Sequence, residues 1–75
     1  MKNQSMLLEI DYSKNYELKL MDDSKWSVNP MDLPTVTVWL PTSTIIIEEV
    51  NDGSMYNCKL TNSNSKNSVR AMKVK

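Results

Sequence analysis

Histidine does not occur in this chain, glycine and cysteine occur once each, and phenylalanine is missing. No apolar run approaches the roughly 20 residues that a membrane-spanning helix needs. Each absence excludes something. Without histidine the usual general base, the usual zinc ligand and the usual switch near neutral pH are gone. A single cysteine forms no internal disulfide. Small secreted domains that depend on disulfides carry several, so this fold holds without staples. One glycine leaves no glycine-rich phosphate cradle. Met6, Leu7 and Leu8 are followed at once by Glu9, so the apolar stretch of about 7–15 residues that marks a signal peptide is lacking. A cytoplasmic location is the default expectation.

What is present bounds the object further. Seventy-five residues make one domain, and a chain this short buries only about 60% of the surface its unfolded state exposes. With 40% hydrophobic and 24% charged residues, the composition is that of a globular domain rather than a disordered or fibrous chain. Nine basic and nine acidic residues cancel, so no global field recruits nucleic acid or an anionic membrane. After Asp52, however, no acidic residue follows, while Lys59, Lys66, Arg70, Lys73 and Lys75 do. The last third is locally basic.

Apolar residues do not recur at helical spacing over three turns, whereas alternation of period two recurs in short runs. The chain therefore reads as all-β. Tyr16, Leu18 and Leu20 alternate with polar residues, "DDS" breaks the run, and Trp26 and Val28 resume it. A loop of Asp22, Asp23 and Ser24 sets Leu20 opposite Trp26 and Leu18 opposite Val28, with Ser24 at the position that prefers glycine. "TVTVWL" is expected as a strand with Val36, Val38 and Leu40 on one face and Trp39 on the other, closed by Pro41. "STIIIEEV", the turn "NDG" and "SMYNCKLT" predict a tight hairpin in which Ile47 faces Cys58, Ile45 faces Leu60 and Glu49 faces Tyr56. "NSNSKNS" is a polar loop, "VRAMKVK" a last strand, and "MLLEI" an N-terminal strand expected beside that last one. Residues 1–5 are expected to be loose. Five or six short antiparallel strands are too few for an immunoglobulin sandwich and enough for one small, strongly bent barrel covering residues 1–75.

The succession "SKWSVNPMD", "WLPTSTIII", "MYNCKLTN" and "SVRA" resembles a group of small, mostly uncharacterised bacterial proteins with an SH3-like β-barrel. The resemblance runs from about Tyr16 to Met72. It departs at Ser24, where such sequences tend to carry glycine after the aspartates. It implies an SH3-like barrel and brings no catalytic residues.

The candidate sites follow from parity. Cys58 shares a face with Tyr56 and Leu60, so it reads as a small buried hydrophobe rather than a nucleophile, because no neighbour on its own face lowers its pKa. Glu48 and Glu49 point to opposite faces and form no acid and base pair. Asp22 and Asp23 read as turn residues, and with Asp32 their spacing fits no calcium loop. Neither a metal nor a cofactor is expected, and no residues pair as nucleophile and base, so an enzyme is the least expected class. Trp26 travels with Val28 and belongs to the core. Trp39 is expected on the outer face or at a rim, either half covered by the Pro30–Pro34 loop or joining Met31 and Leu33 in a surface for a protein or peptide partner. The alternative is nucleic-acid binding through Lys59, Lys66, Arg70, Lys73 and Lys75.

Overall fold

The computed structural model describes residues 3–14 and 16–74. Six strands form a closed antiparallel barrel: β1 Asn3–Asp11, β2 Glu17–Leu20, β3 Lys25–Val28, β4 Thr44–Glu49, β5 Cys58–Asn62 and β6 Asn67–Lys73. Their order around the ring is β1-β2-β3-β6-β5-β4. Two three-stranded meanders are thus joined along both edges, and closure leaves no sheet edge to template aggregation. The alternation of the sequence becomes the inside of the barrel: Leu7, Leu18, Leu20, Trp26, Val28, Ile45, Ile47, Leu60, Val69 and Ala71 are all buried.

Two expectations about the N-terminus are corrected. β1 lies between β2 and β4, and β6 pairs with β3, so the N-terminal strand is not beside the last one. Asn3, Gln4 and Ser5 pair with Ile47, Ile46 and Ile45, so residues 3–5 are strand rather than a loose end, and residues 1–2 lie outside the described residues. A bulge between Leu7 and Glu9 resets the parity of β1. Leu7 and Ile10 both turn inward across it, and Leu8 becomes the extra, half-exposed residue.

Both hairpins keep the expected faces but slip by two residues. In the first, Leu18 pairs with Trp26 and Lys19 with Lys25, and the loop is Met21, Asp22 and Asp23. Asp23 rather than Ser24 takes the left-handed conformation, at φ 68°. Aspartate tolerates that region because its short side chain bonds locally. In the second, Ile47 pairs with Leu60, Ile45 with Asn62 and Glu49 with Cys58. The tight Asp52–Gly53 turn gives way to a loop closed by Val50 N donating to Asn57 O at 2.8 Å. Side chains build that loop. Asp52 Oδ1 accepts from Ser54 N at 3.0 Å and Ser54 Oγ from Tyr56 N at 3.1 Å. Arg70 of β6 then clamps it, with Nε on Tyr56 O at 3.1 Å and Nη2 on Asp52 Oδ2 at 2.8 Å. A slip of two preserves which side chains face the core, which a slip of one would not.

Gly53 does take a positive φ, +80°. A Cβ there meets nothing within 4 Å, so the cost of a substitution is backbone strain alone. Gly53→Val is expected to destabilise the fold by about 1–3 kcal/mol. Thr42 presents the mirror case. Pro41 and Thr42 occupy the corners of a turn in which Ser43 N donates to Leu40 O at 3.3 Å, and the β-branched Thr42 is held at φ 71°. Thr42→Gly is expected to leave stability unchanged or raise it, and paired urea melts of the two variants read the opposite signs.

The largest correction concerns "TVTVWL", which is not a strand. A 3-10 turn at Pro30–Asp32 runs into one turn of α-helix, α1, Leu33–Val36. Asn29 Oδ1 caps the first by accepting from Met31 N at 3.1 Å, and Pro34 sits in the first turn of α1, where its missing N–H costs nothing. Asp32 Oδ2 accepts from Arg70 N at 2.9 Å and ties the segment to β6. Thr37 N donates to Leu33 O at 3.1 Å and Trp39 N to Val36 O at 2.9 Å. The spacing that governs burial is consequently i, i+3. Leu33 packs on the core, Val36 and Trp39 are in it, and Val38 and Leu40 stay exposed.

Candidate functional site

The two indoles stand at opposite ends of the barrel. Trp39 is 2% exposed, which overturns its outward assignment, and its Nε1 donates to Asn67 Oδ1 at 2.7 Å, where β6 begins. Val36 and Trp39 close this end. Of the surface expected around Trp39, Met31 is 86% exposed and Leu33 is half-buried against the core. The indole that was to anchor the patch is absent from the surface.

The other end of the barrel is open, and there the strands enclose a cavity of about 320 Å³ lined by Asn3, Asp22, Ser24, Trp26, Ile47, Glu49, Asn57, Cys58 and Lys73. Five strands supply it. The inward-facing column of β4 runs Ile45, Ile47, Glu49, and that of β6 runs Val69, Ala71, Lys73, so each column ends in a charge at the mouth. Extending the core parity by one step along each strand would have found these residues. The sequence already set Glu49 in register with Ile45 and Ile47, but nothing local to it showed that this face opens into a mouth.

On one wall a relay of hydrogen bonds is fixed by the first hairpin. Trp26 Nε1 donates to Ser24 Oγ at 2.9 Å, and Ser24 Oγ donates in turn to Asp22 Oδ1. The Ser24 hydroxyl, with help from its backbone N–H and from the charge of Lys73, holds the Asp22 carboxyl below its usual value of 3.8, against a smaller opposing effect of burial. A lowered folded value means that the contribution of this carboxylate to stability is complete above 3.8 and is lost as pH falls through the lower folded value. At neutral pH the relay ends on a full negative charge.

Cys58 is buried, as its parity predicts. Burial, and next the negative charge of Glu49 directly across the β4–β5 ladder, push its thiol up from the ordinary value. This environment favours the thiol over the thiolate, the opposite of what a nucleophile needs. Native labelling of Cys58 by a neutral maleimide is expected to run at least about tenfold slower than in urea, and equal rates would show that the thiol is not held in the fold.

Among the described residues no three His, Cys, Asp or Glu side chains converge as a metal site. Asp22 and Asp23 sit in the first hairpin loop while Asp32 is bonded to β6, so the three are not brought together. The basic residues also scatter. Arg70 is bound to Asp52 and Tyr56, Lys59 lies on the outer wall between Glu48 and Arg70, Lys66 tops the β5–β6 loop, and Lys73 faces the mouth. Lys75 lies outside the described residues.

An apolar strip missed by the sequence reading crosses the outside of the barrel. Met6 points outward from β1 with Leu8 in the bulge beyond it. Met21 flanks them on one side, its N–H on Met6 O at 2.9 Å, and the Leu40–Ser43 turn on the other, with Thr42 N on Leu7 O at 2.7 Å and Leu7 N on Ser43 O at 2.8 Å. Met21 is 58% and Leu40 70% exposed. No described helix is long and apolar enough to cross a membrane. No family model, curated protein or solved structure shows a significant match to this chain.

Proposed function

We propose that this chain is a non-catalytic binding module whose outer apolar strip, Met6, Leu8, Met21 and Leu40, receives a protein or peptide partner. The observation that carries the reading is the exposure of Met21 and Leu40 on segments stitched to either side of β1. Flexible methionines beside leucine form the adaptable apolar surface that protein interfaces use. The proposal moves the interaction surface from Trp39 to the β1 side and keeps its chemistry. The short strands closed into a six-membered ring are consistent with the SH3-like barrel that the sequence resembles.

Nucleic-acid binding is the second reading, and the scatter of Lys59, Lys66, Arg70 and Lys73 over the wall, a loop and the mouth gives it no continuous phosphate track. Capture from source-cell lysate by wild type, by a Met21→Glu/Leu40→Glu variant and by a Lys59→Glu/Lys66→Glu variant discriminates the two. The expected result is a protein partner retained in high salt and lost only in the first variant, with both variants melting as wild type does. Retention by that variant, or loss confined to the second and to high salt, would overturn the proposal.

A further inference from the structure

The open mouth carries charges that the fold leaves without direct partners. Neither the Glu49 carboxylate nor the Lys73 ammonium makes a hydrogen bond or an ion pair among the described residues. Both occupy inward-facing positions on strands separated by β5: Cys58 pairs with Glu49 on one side and with Ala71, two residues before Lys73, on the other. With strands about 4.8 Å apart and about 3.3 Å of rise per residue, their backbones stand roughly 12 Å from one another across that wall. Asp22, on the opposite rim, is fixed by the Ser24 hydroxyl and backbone N–H. Two carboxylates and one ammonium therefore look into a cavity whose floor is Trp26, Ile47 and Cys58. Its volume stands at the low end of the roughly 300–1,000 Å³ of small-molecule sites, and the mouths of β-barrels are among the places where such sites occur.

A purely cationic ligand would leave Lys73 facing a like charge, and a purely anionic one would meet two carboxylates. A ligand with both charges at one end and an apolar body at the other satisfies all three groups and the floor. We propose that the mouth binds a small zwitterion of the α-amino-acid class, its ammonium held by Asp22 and Glu49, its carboxylate by Lys73, and its side chain laid on Trp26, Ile47 and Cys58. The site is separate from the outer apolar strip, and either could exist without the other.

The two tryptophans make the test internal to the molecule. Trp26 Nε1–H lies at the mouth and Trp39 Nε1–H at the closed end, so their resonances in an amide correlation spectrum act as probe and control. L-leucine, titrated to about 10 mM so that binding as weak as the millimolar range is reached, is expected to shift the Trp26 indole resonance saturably and leave that of Trp39 in place. Leucinamide, which lacks the carboxylate, and 4-methylpentanoate, which lacks the ammonium, are expected to bind at least about tenfold more weakly. Glu49→Gln and Lys73→Met, both at exposed positions, are expected to weaken leucine by a similar factor without altering the ligand-free spectrum elsewhere. No saturable shift of Trp26, equal shifts of both indoles, or equal binding of either singly charged analogue would overturn the proposal.

Discussion

Trp39→Ala is expected to destabilise the domain by about 3–5 kcal/mol, the range for truncating a buried aromatic ring. The side chain is 2% exposed and its N–H is bonded to Asn67 Oδ1, so the substitution removes both the plug of the closed end and a long-range tie to β6. A domain of this size holds about 4–11 kcal/mol in total at ordinary stability per residue, and the alanine variant is expected to be largely unfolded at 37 °C. Trp39→Phe keeps most of the packing and loses only the hydrogen bond. It should cost about 0.5–1.5 kcal/mol, the net loss of one hydrogen bond, because the Asn67 Oδ1 acceptor retains the Ser65 hydroxyl at 2.6 Å. Urea titrations of the two variants read this order, and an alanine variant as stable as wild type would place the indole outside the core.

The same residue shows where the sequence stops being legible. Thr35, Val36, Thr37 and Val38 are β-branched and alternate, and both features favour a strand. They lose to Asn29, Pro30 and Pro34, whose capping and fixed φ start a helical turn, and to Arg70 N, thirty-eight residues away, which claims Asp32. That last bond is invisible to any local pattern. Once the turn forms, burial follows a spacing of three, and Trp39 swings inside with Val36.

The strand faces were legible because a buried column needs only alternation. Leu18 with Leu20, Trp26 with Val28, Ile45 with Ile47 and Val69 with Ala71 all fell as their parity required. Registers were less legible because they are set by the loops. Asp23 absorbs the left-handed corner, and Asp52, Ser54 and Arg70 hold open a loop that "NDG" alone would close. Both slips are by two residues, since the core penalises odd slips and is indifferent to even ones. The mouth was legible in principle, as the continuation of the inward columns to Glu49 and Lys73. Its reading as a site required the ring order, which pairs β6 with β3 and β1 with β4 and so brings Lys73, Asp22, Asn3 and Glu49 around one opening.

Trp26→Ala is expected to cost as much as Trp39→Ala, about 3–5 kcal/mol, which replaces the unequal costs that parity alone implied. Its partner across the ladder is Leu18 on one side and Lys73 on the other, so its loss opens the core directly into the mouth. The hydrogen-bond relay allows the packing and polar parts to be separated. Ser24 is 5% exposed, and Ser24→Ala leaves the indole N–H at 2.9 Å from a missing acceptor, an unpaired buried donor worth about 1–3 kcal/mol. Trp26→Phe removes the donor and keeps a ring, and the Ser24 hydroxyl still has Asp22 to donate to. The double variant Trp26→Phe/Ser24→Ala should therefore be more stable than the sum of the single losses by about 0.5–3 kcal/mol, the coupling expected of directly bonded groups. Strict additivity in urea denaturation would mean that the Trp26–Ser24 bond is not made in solution. A Trp26→Ala variant that melts with wild type would remove the indole from the core and, with it, the apolar floor on which the zwitterion site rests.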